Sequence, residues 1–363
     1  MQDALKLGFF IQPVHPPARS YADVLREDRD AVVLADKLGY REAFIGEHLV
    51  DATEPITSSL MFIAHLADAC PSITFGTGVL PLANYHPAMA AAQVAMVDHL
   101  VQGRLVLGIG PGVPGDAEAI GDVGSDRHRK TQEAIEQMLR IWREEPPYRI
   151  AGEFYQTVTE RSFNPDIGVG IAVRPLQRPH PPIAITSIRP GGAGPKAAGS
   201  RGWGGISATY VGTHVVRAHI RGYLDGRRSA GLSTDASGWR VARSVFVADD
   251  EVTAQRYAHH EDGAHGFYFH VMRTKLGRSG AVEVMRDDPG QDDDTPQQCL
   301  ERLVIAGTPQ SVADQILAFR SAVGAFGTLL YTGHDWVDPE LGRRSMELMA
   351  REVMPLINRA LAG

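Results

Sequence analysis

The side chain best suited to proton transfer in this sequence is His48, which ends an apolar run and follows Glu47. An imidazole beside a carboxylate is expected to titrate near neutrality, where it can act as a general acid or base. The alternative is a structural histidine that holds a neighbouring loop by a hydrogen bond. The residues alone leave both interpretations open.

Glycine recurs at the ends of the third and fourth apolar runs. Gly76, Thr77 and Gly78 belong to the end of one run, and Gly110 ends the next. Glycine lets a flat ligand approach the backbone closely, and it tolerates the bulges that ligand sites use. One such glycine would be an ordinary turn residue, whereas several at the same end of the strands favour a binding surface for a flat cofactor.

A glycine-rich segment after the fifth apolar run predicts an anion-binding loop. It leads into a short helical stretch, whose first backbone N–H groups attract anions. Arg189, and Arg129 at the start of an earlier helix, can each add a charge-assisted hydrogen bond. The spacing matches neither a P-loop nor a dinucleotide fingerprint, and a flexible loop with a solvated arginine is the alternative. The residues proposed for this loop are Ser187, Arg189, Gly191, Gly192 and Gly194.

Metal-dependent hydrolysis is the rival chemistry for such strand ends, because it also uses histidine and carboxylate side chains. The candidate ligands His48, His86, His214 and His334 are scattered along the chain, and the first run ends with a single histidine rather than a His-X-His pair. We therefore expect no metal centre.

The elements that must position these residues alternate between short apolar runs and longer segments with helical spacing. That alternation predicts parallel strands joined by helical crossovers, and eight runs predict a (β/α)8 TIM barrel. Reactive groups of such a barrel come from the carboxyl ends of its strands. The predicted strands are 6–12, 42–47, 73–80, 104–110, 182–187, 205–210, 240–247 and 328–333.

Two segments exceed ordinary loop length and are interpreted as insertions. Residues 145–181, after the fourth predicted helix, are rich in proline and aromatic residues, and 152–156 are expected to form a small strand. Residues 259–298, after the seventh predicted strand, combine glycines with an aspartate cluster, a composition that predicts mobility. We interpret this second segment as a mobile lid, with a passive disordered loop as the alternative.

Length and composition exclude several classes of protein. A chain of 363 residues with 44% hydrophobic and 22% charged residues suits one large folded domain spanning 1–363. The net charge of −7 and the absence of a long basic run argue against nucleic-acid binding. Neither a signal peptide nor a membrane span is expected, and two cysteines suit a reducing compartment, so we expect a cytoplasmic protein.

Six segments, in order, resemble the bacterial luciferase-like flavin monooxygenases, with the strongest likeness to their limonene monooxygenase branch. They are Phe44–His48, Gly78–Pro81 with His86 and Pro87, Asp98–Gly110, Gly152–Tyr155, Arg178–Ile183 and Ala198–Trp203. The resemblance implies a TIM barrel that binds reduced FMN from a separate flavin reductase. It also implies that O2 forms a flavin C4a-hydroperoxide, which oxygenates a small, largely apolar organic substrate.

The same resemblance assigns roles to individual residues. His48 corresponds to the active-site histidine near the flavin, and Thr77 and Gly78 to the bulge beneath the isoalloxazine ring. Arg129 corresponds to an arginine that reaches the flavin phosphate, and the loop from Arg189 to Gly194 to the one that cradles it.

The sequence departs from the family at the expected phosphate site. Pro111 stands where the luciferase subunit has a phosphate-binding arginine, and Gly191 and Gly192 replace polar side chains of the limonene branch. Phosphate binding is therefore expected to depend on backbone groups and on Arg129 or Arg189.

Three further expectations complete the interpretation. A deazaflavin-dependent oxidoreductase that transfers hydride, or a flavin-binding protein without catalysis, is the alternative function. The residues expected to line the substrate pocket are Phe10, Tyr85, Trp203 and Phe267. A homodimer is expected through the helix over 87–102, whose small residues permit close helix packing. Those small residues are Ala88, Ala91, Ala92 and Ala95.

Overall fold

Eight parallel strands form a closed barrel in the computed structural model of the chain, which describes residues 4–12, 14–290, 292 and 294–363. The described strands are β1 (Lys6–Ile11), β2 (Glu42–Ile45), β3 (Thr74–Thr77), β4 (Leu80–Pro81), β5 (Leu105–Gly110), β6 (Arg149–Ala151), β7 (Gln156–Val158), β8 (Ile183–Ser187), β9 (Gly204–Ser207), β10 (Trp239–Val247), β11 (Val304–Gly307) and β12 (Thr328–Gly333).

The described α-helices surround this barrel. They are α1 (Tyr21–Lys37), α2 (Ser59–Leu66), α3 (Pro87–Leu100), α4 (Pro114–Ala119), α5 (Arg127–Arg143), α6 (Ala193–Ser200), α7 (Thr213–Ser229), α8 (Glu251–Ala258), α9 (Ala264–Arg278), α10 (Pro296–Leu303), α11 (Pro309–Val323), α12 (Pro339–Leu348) and α13 (Met354–Ala362). None of these helices combines the length and apolarity that crossing a membrane requires.

The ring runs β1, β2, β3, β5, β8, β9, β10 and β12, and it closes where β12 pairs with β1. This order confirms the predicted (β/α)8 barrel. The third predicted strand is interrupted after β3, where the Gly78–Val79 peptide bond is cis, and the short β4 then continues along β5. The additional strand β11 pairs with the last four residues of β10, outside the ring.

The barrel interior is filled by one apolar cluster. Its members, one from each of seven ring strands, are Phe10, Phe44, Val106, Ala184, Ile206, Ala242 and Leu330. A second, larger core lies between the strands and the helices. Since both faces of each strand are buried, the strands appear in the sequence as continuous apolar runs rather than as alternating ones.

The insertion over 145–181 contains an antiparallel hairpin. Its strands are β6 and β7, so residues 152–155 form the turn rather than the strand expected there. The turn is fixed from α5, because the Glu133 carboxylate accepts hydrogen bonds from the backbone N–H groups of Glu153, Phe154 and Tyr155. A carboxylate that serves three consecutive amides favours a tight turn over an extended strand.

Residues 259–298 are largely helical where a mobile loop was expected. They contain α9, a 3₁₀ turn (Val282–Met285) and the start of α10, while Gln291 and Asp293 lie outside the described residues. Tyr268, Met272 and Leu276 are buried on one face of α9. This spacing of apolar residues is typical of a helix packed on a core. The helix was not predicted because the glycines and aspartates around it are typical of a loop. Closure of this segment over a ligand stays a prediction.

Candidate active site

His48 lies between two carboxylates at the carboxyl end of β2. Its Nε2 is 3.4 Å from Glu54 Oε2, and its Nδ1 is 3.5 Å from Asp116 Oδ2. Asp116 is held in place by the backbone N–H groups of Leu49 and Val50. The His48 side chain is 20% exposed. It can therefore contact a ligand at the barrel mouth, by which we mean the end of the barrel where the carboxyl ends of the ring strands lie.

The two carboxylates keep His48 charged. Burial alone would lower the pKa of His48, but Glu54 and Asp116 outweigh it and raise the pKa to about 10. The expectation of a group titrating near neutrality through Glu47 is therefore corrected. Glu47 faces away, accepting hydrogen bonds from Ser59 Oγ and Tyr85 Oη, both over 2.6 Å. At neutral pH His48 is a proton donor and a positive charge rather than a base.

The insertion reaches this cluster through α9. Lys275 Nζ lies 2.5 Å from Glu54 Oε1 and also pairs with Asp51. Although burial would raise the pKa of Glu54, the charges of His48 and Lys275 lower it to about 2. The same helix contacts the end of β1, where Tyr268 Oη donates to Gln12 Oε1 over 2.9 Å. Helix α9 thus spans the ends of β1 and β2.

The glycines of the expected cofactor-binding surface are required by the protein's own packing. A Cβ added to Gly76 would stand 2.3 Å from the Phe44 ring, and one added to Gly78 would stand 2.6 Å from the Phe10 ring. At Gly110 it would stand 2.8 Å from a methyl group of Val79. These glycines admit neighbouring side chains, so a flavin-binding role would rest on the backbone beside them.

The loop expected to bind an anion leads into a short helix, as its sequence predicts. Gly192 is the N-cap of α6, and no described side chain caps that helix. The first amides of α6 therefore remain available to an anion. Ser187 is buried below this point, and a Cβ on Gly194 would lie 3.6 Å from its Oγ. The Arg189 side chain is 58% exposed and lies 3.9 Å from Glu283.

The two arginines at the start of α5 point in different directions. Arg129 is 60% exposed and pairs with Glu153, away from the barrel mouth. Arg127 instead donates to the carbonyl oxygen of Pro111 over 2.5 Å and to Asn84 Oδ1 over 2.6 Å. The structure thus brings Arg127, rather than the expected Arg129, to the carboxyl end of β5.

Helical spacing would have identified Arg127. Ala134, Met138 and Ile141 are buried on α5, and Arg127 lies on the same face because it precedes Ala134 by two turns. A residue two positions further along a helix points to nearly the opposite side. Arg129 therefore faces solvent.

The four residues expected to line a substrate pocket do not lie together. Phe10 is part of the barrel interior, and Tyr85 binds Glu47 near the mouth. Phe267 lies half-buried on α9. Trp203 immediately precedes β9 and lines a cleft at the amino end of the barrel, so its placement in the pocket is corrected. In a parallel barrel, a residue before a strand lies opposite the residues that follow it.

A second buried histidine follows β1. His15 Nδ1 lies 2.6 Å from Asp335 Oδ1, and its Nε2 lies 3.0 Å from Asp28 Oδ1. Burial would lower the pKa of His15, but the two carboxylates raise it to about 9. Glu27 approaches the same group, and Arg19 pairs with both Glu27 and Asp335. The guanidinium group supplies the positive charge that a metal ion would bring.

Comparison with known proteins agrees with this architecture. The luciferase-like monooxygenase family model matches residues 5–325. The 4-hydroxyprotoasukamycin monooxygenase of Streptomyces nodosus subsp. asukaensis is 29% identical over 99% of this chain and 94% of its own length. Limonene 1,2-monooxygenase of Rhodococcus erythropolis is 28% identical over 97% of this chain and 86% of its own length.

A solved structure extends the similarity to three dimensions. It is the oxygenating constituent of 3,6-diketocamphane monooxygenase from Pseudomonas putida, a type II Baeyer-Villiger monooxygenase in complex with FMN. It has a TM-score of 0.88 and 26% sequence identity, and the match covers 98% of this chain and 99% of that chain. These matches confirm the resemblance found in the sequence. The chain belongs to the luciferase-like monooxygenase family and is an oxidoreductase.

Proposed function

We propose that this protein is a flavin-dependent monooxygenase that oxygenates a small, largely apolar organic substrate. The co-reactants are O2 and reduced FMN, which when bound supplies the two electrons of the reaction. One oxygen atom enters the substrate and the other leaves as water. The observation that carries the proposal is that the cationic His48 and the uncapped start of α6 share one end of the barrel.

The residues at this end fit the groups of FMN. The free amides of α6 and the exposed Arg189 suit a dianionic phosphate. Glu54 and Asp116 face the two ring nitrogens of His48 and hold the ring in place, while 20% of its side chain is exposed. The positive charge of His48 stabilises negative charge that develops in a ligand beside it. The FMN complex of the Pseudomonas putida relative supports the choice of cofactor.

We assign water exclusion to the segment 259–298. Its helix α9 lies across the ends of two barrel strands, and Lys275 ties it to Glu54 and Asp51. The half-buried Phe267 on this helix provides apolar surface for a substrate. A lid that opens by breaking these ion pairs admits reduced flavin and then excludes water during the reaction.

Two protein partners belong to the proposal. Reduced flavin comes from a separate reductase, which agrees with the relative's description as an oxygenating constituent. The second partner is another copy of the chain.

Helices α2 and α3 carry a surface that supports such a homodimer. Of the four alanines expected there, Ala92 is exposed and Ala88 is half-buried, whereas Ala91 and Ala95 are buried against the protein's own core. Methionines and a leucine are exposed beside them, and an apolar surface of this kind favours association. These residues are Met61, Met89, Met96 and Leu100. Light scattering should give twice the mass of one chain, whereas the mass of a single chain would contradict the dimer.

Anaerobic titration followed by single turnover tests the function. We expect reduced FMN to bind more tightly than reduced riboflavin, which lacks the phosphate. Mixing that complex with ¹⁸O₂ and a panel of terpenes and cyclic ketones should give a product with one ¹⁸O atom. Binding of a reduced deazaflavin with oxygen-independent hydride transfer would support the alternative oxidoreductase. Flavin binding without turnover of any panel member would favour a non-catalytic flavin protein.

A further inference from the structure

A buried row of polar side chains connects the barrel wall to the loop before α6. The Trp239 indole N–H donates to Ser207 Oγ over 3.0 Å, and this oxygen lies 3.0 Å from His219 Nδ1. His219 Nε2 lies 3.0 Å from the backbone carbonyl oxygen of Arg189. Trp239, Ser207 and His219 are completely buried, so water does not compete for the two hydrogen bonds among them, and the third bond, to Arg189, is partly buried.

The groups at the two ends of the row fix the direction of its hydrogen bonds. A carbonyl oxygen only accepts, so His219 carries a proton on Nε2 and donates it to the Arg189 carbonyl. In a neutral ring Nδ1 is then an acceptor, so Ser207 Oγ donates to Nδ1 and accepts from the Trp239 indole N–H. Burial lowers the pKa of His219 to about 4, which keeps the ring neutral at physiological pH. An imidazolium would lose the ability to accept from Ser207.

Helix α7, which carries His219, also holds the helix that ends this loop. A Cβ on Gly199 of α6 would stand 2.1 Å from the carbonyl oxygen of Tyr223, and one on Gly226 of α7 would stand 2.0 Å from that of Lys196. The two helices thus pack backbone against backbone. Both ends of the loop are fixed to α7, its start through the Arg189 carbonyl and its end through α6.

We propose that His219 is a positioning residue for the phosphate of the flavin, an inference that rests on the proposed function. By binding the Arg189 carbonyl, His219 turns that negative dipole toward α7. The amides at the start of α6 then face the barrel mouth without a carbonyl oxygen competing beside them. An unanchored carbonyl would repel a phosphate dianion.

Paired substitutions of His219 test the proposal. In His219→Gln, the amide oxygen can accept from Ser207 while the amide nitrogen donates to the Arg189 carbonyl. Asparagine is one methylene shorter, so His219→Asn cannot span both contacts. We expect His219→Asn to weaken binding of reduced FMN about tenfold, as for loss of one hydrogen bond, and to leave binding of reduced riboflavin unchanged. His219→Gln should retain the wild-type ratio of the two affinities.

Tyr223→Phe, on the same face of α7 but outside the row, is the matched control and should leave both affinities unchanged. An equal loss of FMN and riboflavin binding in His219→Asn, or no loss of either, would overturn the proposal. Should that variant fail to fold, ¹⁵N NMR of the wild-type imidazole decides: a proton on Nε2 and none on Nδ1 supports the row, and the reverse overturns it. Wild-type protein that binds FMN no more tightly than riboflavin would instead overturn the phosphate site of the proposed function, and this inference with it.

Discussion

Two histidines follow neighbouring strands of the barrel, and each lies between two carboxylates with a cation close by. His15, after β1, is 1% exposed, and its neighbouring cation Arg19 comes from the same loop. His48, after β2, is 20% exposed, and the cation that pairs with its neighbour Glu54 is Lys275, from the distant helix α9. The two clusters have nearly the same charges and residue types. They differ in the solvent exposure of the histidine and in the part of the chain that supplies the cation.

From this difference we infer that the His15 cluster is structural, whereas the His48 cluster belongs to the proposed active site. The His15 cluster is sealed and uses only residues that the barrel itself supplies, so it serves to join the ends of β1, α1 and β12. The His48 cluster is open, and its cation comes from the insertion that we propose as a lid. A raised pKa, which both histidines share, does not identify a catalytic group without that access.

The largest effect is expected on the stability of the protein when the His15 cluster is disrupted. His15→Leu leaves Asp28 buried without its positive partner, while Asp335 keeps Arg19, and this loss should cost about 3–5 kcal/mol in the free energy of unfolding. Urea denaturation measures this loss. In the wild type, the contribution of His15 is fully present below pH 6.5 and disappears as the pH rises through about 9, because its pKa is raised on folding. A loss below about 1 kcal/mol would remove the distinction between the clusters.

The next effect is expected in catalysis. His48→Ala should retain the fold and flavin binding but slow product formation in single turnover by roughly a hundredfold, since it removes a proton donor. His65→Ala, an exposed histidine on α2, is the control. Because the pKa of His48 is raised to about 10, the wild-type rate should persist through neutrality and fall as the pH passes about 10. A rate that instead rises through pH 6.5 would show that His48 acts as a base.

The smallest effect is expected at the contact between the insertion and the open cluster. Lys275→Met removes the ion pairs with Glu54 and Asp51, so α9 should open more often. Thermolysin should then cleave the segment 259–298 roughly two to five times faster, while Lys37→Met on α1 should have no effect. Flavin and substrate should protect the wild-type segment. Equal cleavage with and without these ligands would contradict the lid.

Local patterns in the sequence predicted the fold more fully than the site. Continuous apolar runs identified the eight ring strands, because each strand is buried on both faces. The strand β11 was missed since it follows α10 directly and lies outside the βα alternation. The glycine loop before α6 was found because helix starts have a local sequence signature.

The environment of His48 could not be predicted, because it is formed by residues that lie far apart in the sequence. Asp116 on α4 contacts His48, and Lys275 on α9 contacts its partner Glu54, but no local spacing in the sequence links either residue to the histidine. Glu47 was assigned as the partner because it is adjacent, although neighbouring residues at a strand end point to opposite sides. By contrast, the helical spacing of buried residues on α5 was sufficient to predict that Arg127, rather than Arg129, faces the protein.

The pairing of β11 with the end of β10 has a consequence for exchanging the insertion between them. Chain leaving the barrel at Val247 returns beside the same strand at Val304, since Val304–Gly307 pairs with Ser244–Val247. A change in the length of residues 248–303 therefore leaves the register of the ring strands unaltered. These residues also carry Tyr268 and Lys275, which contact the ends of β1 and β2. A chimera joined at the two positions has to keep both contacts for the His48 cluster to stay intact.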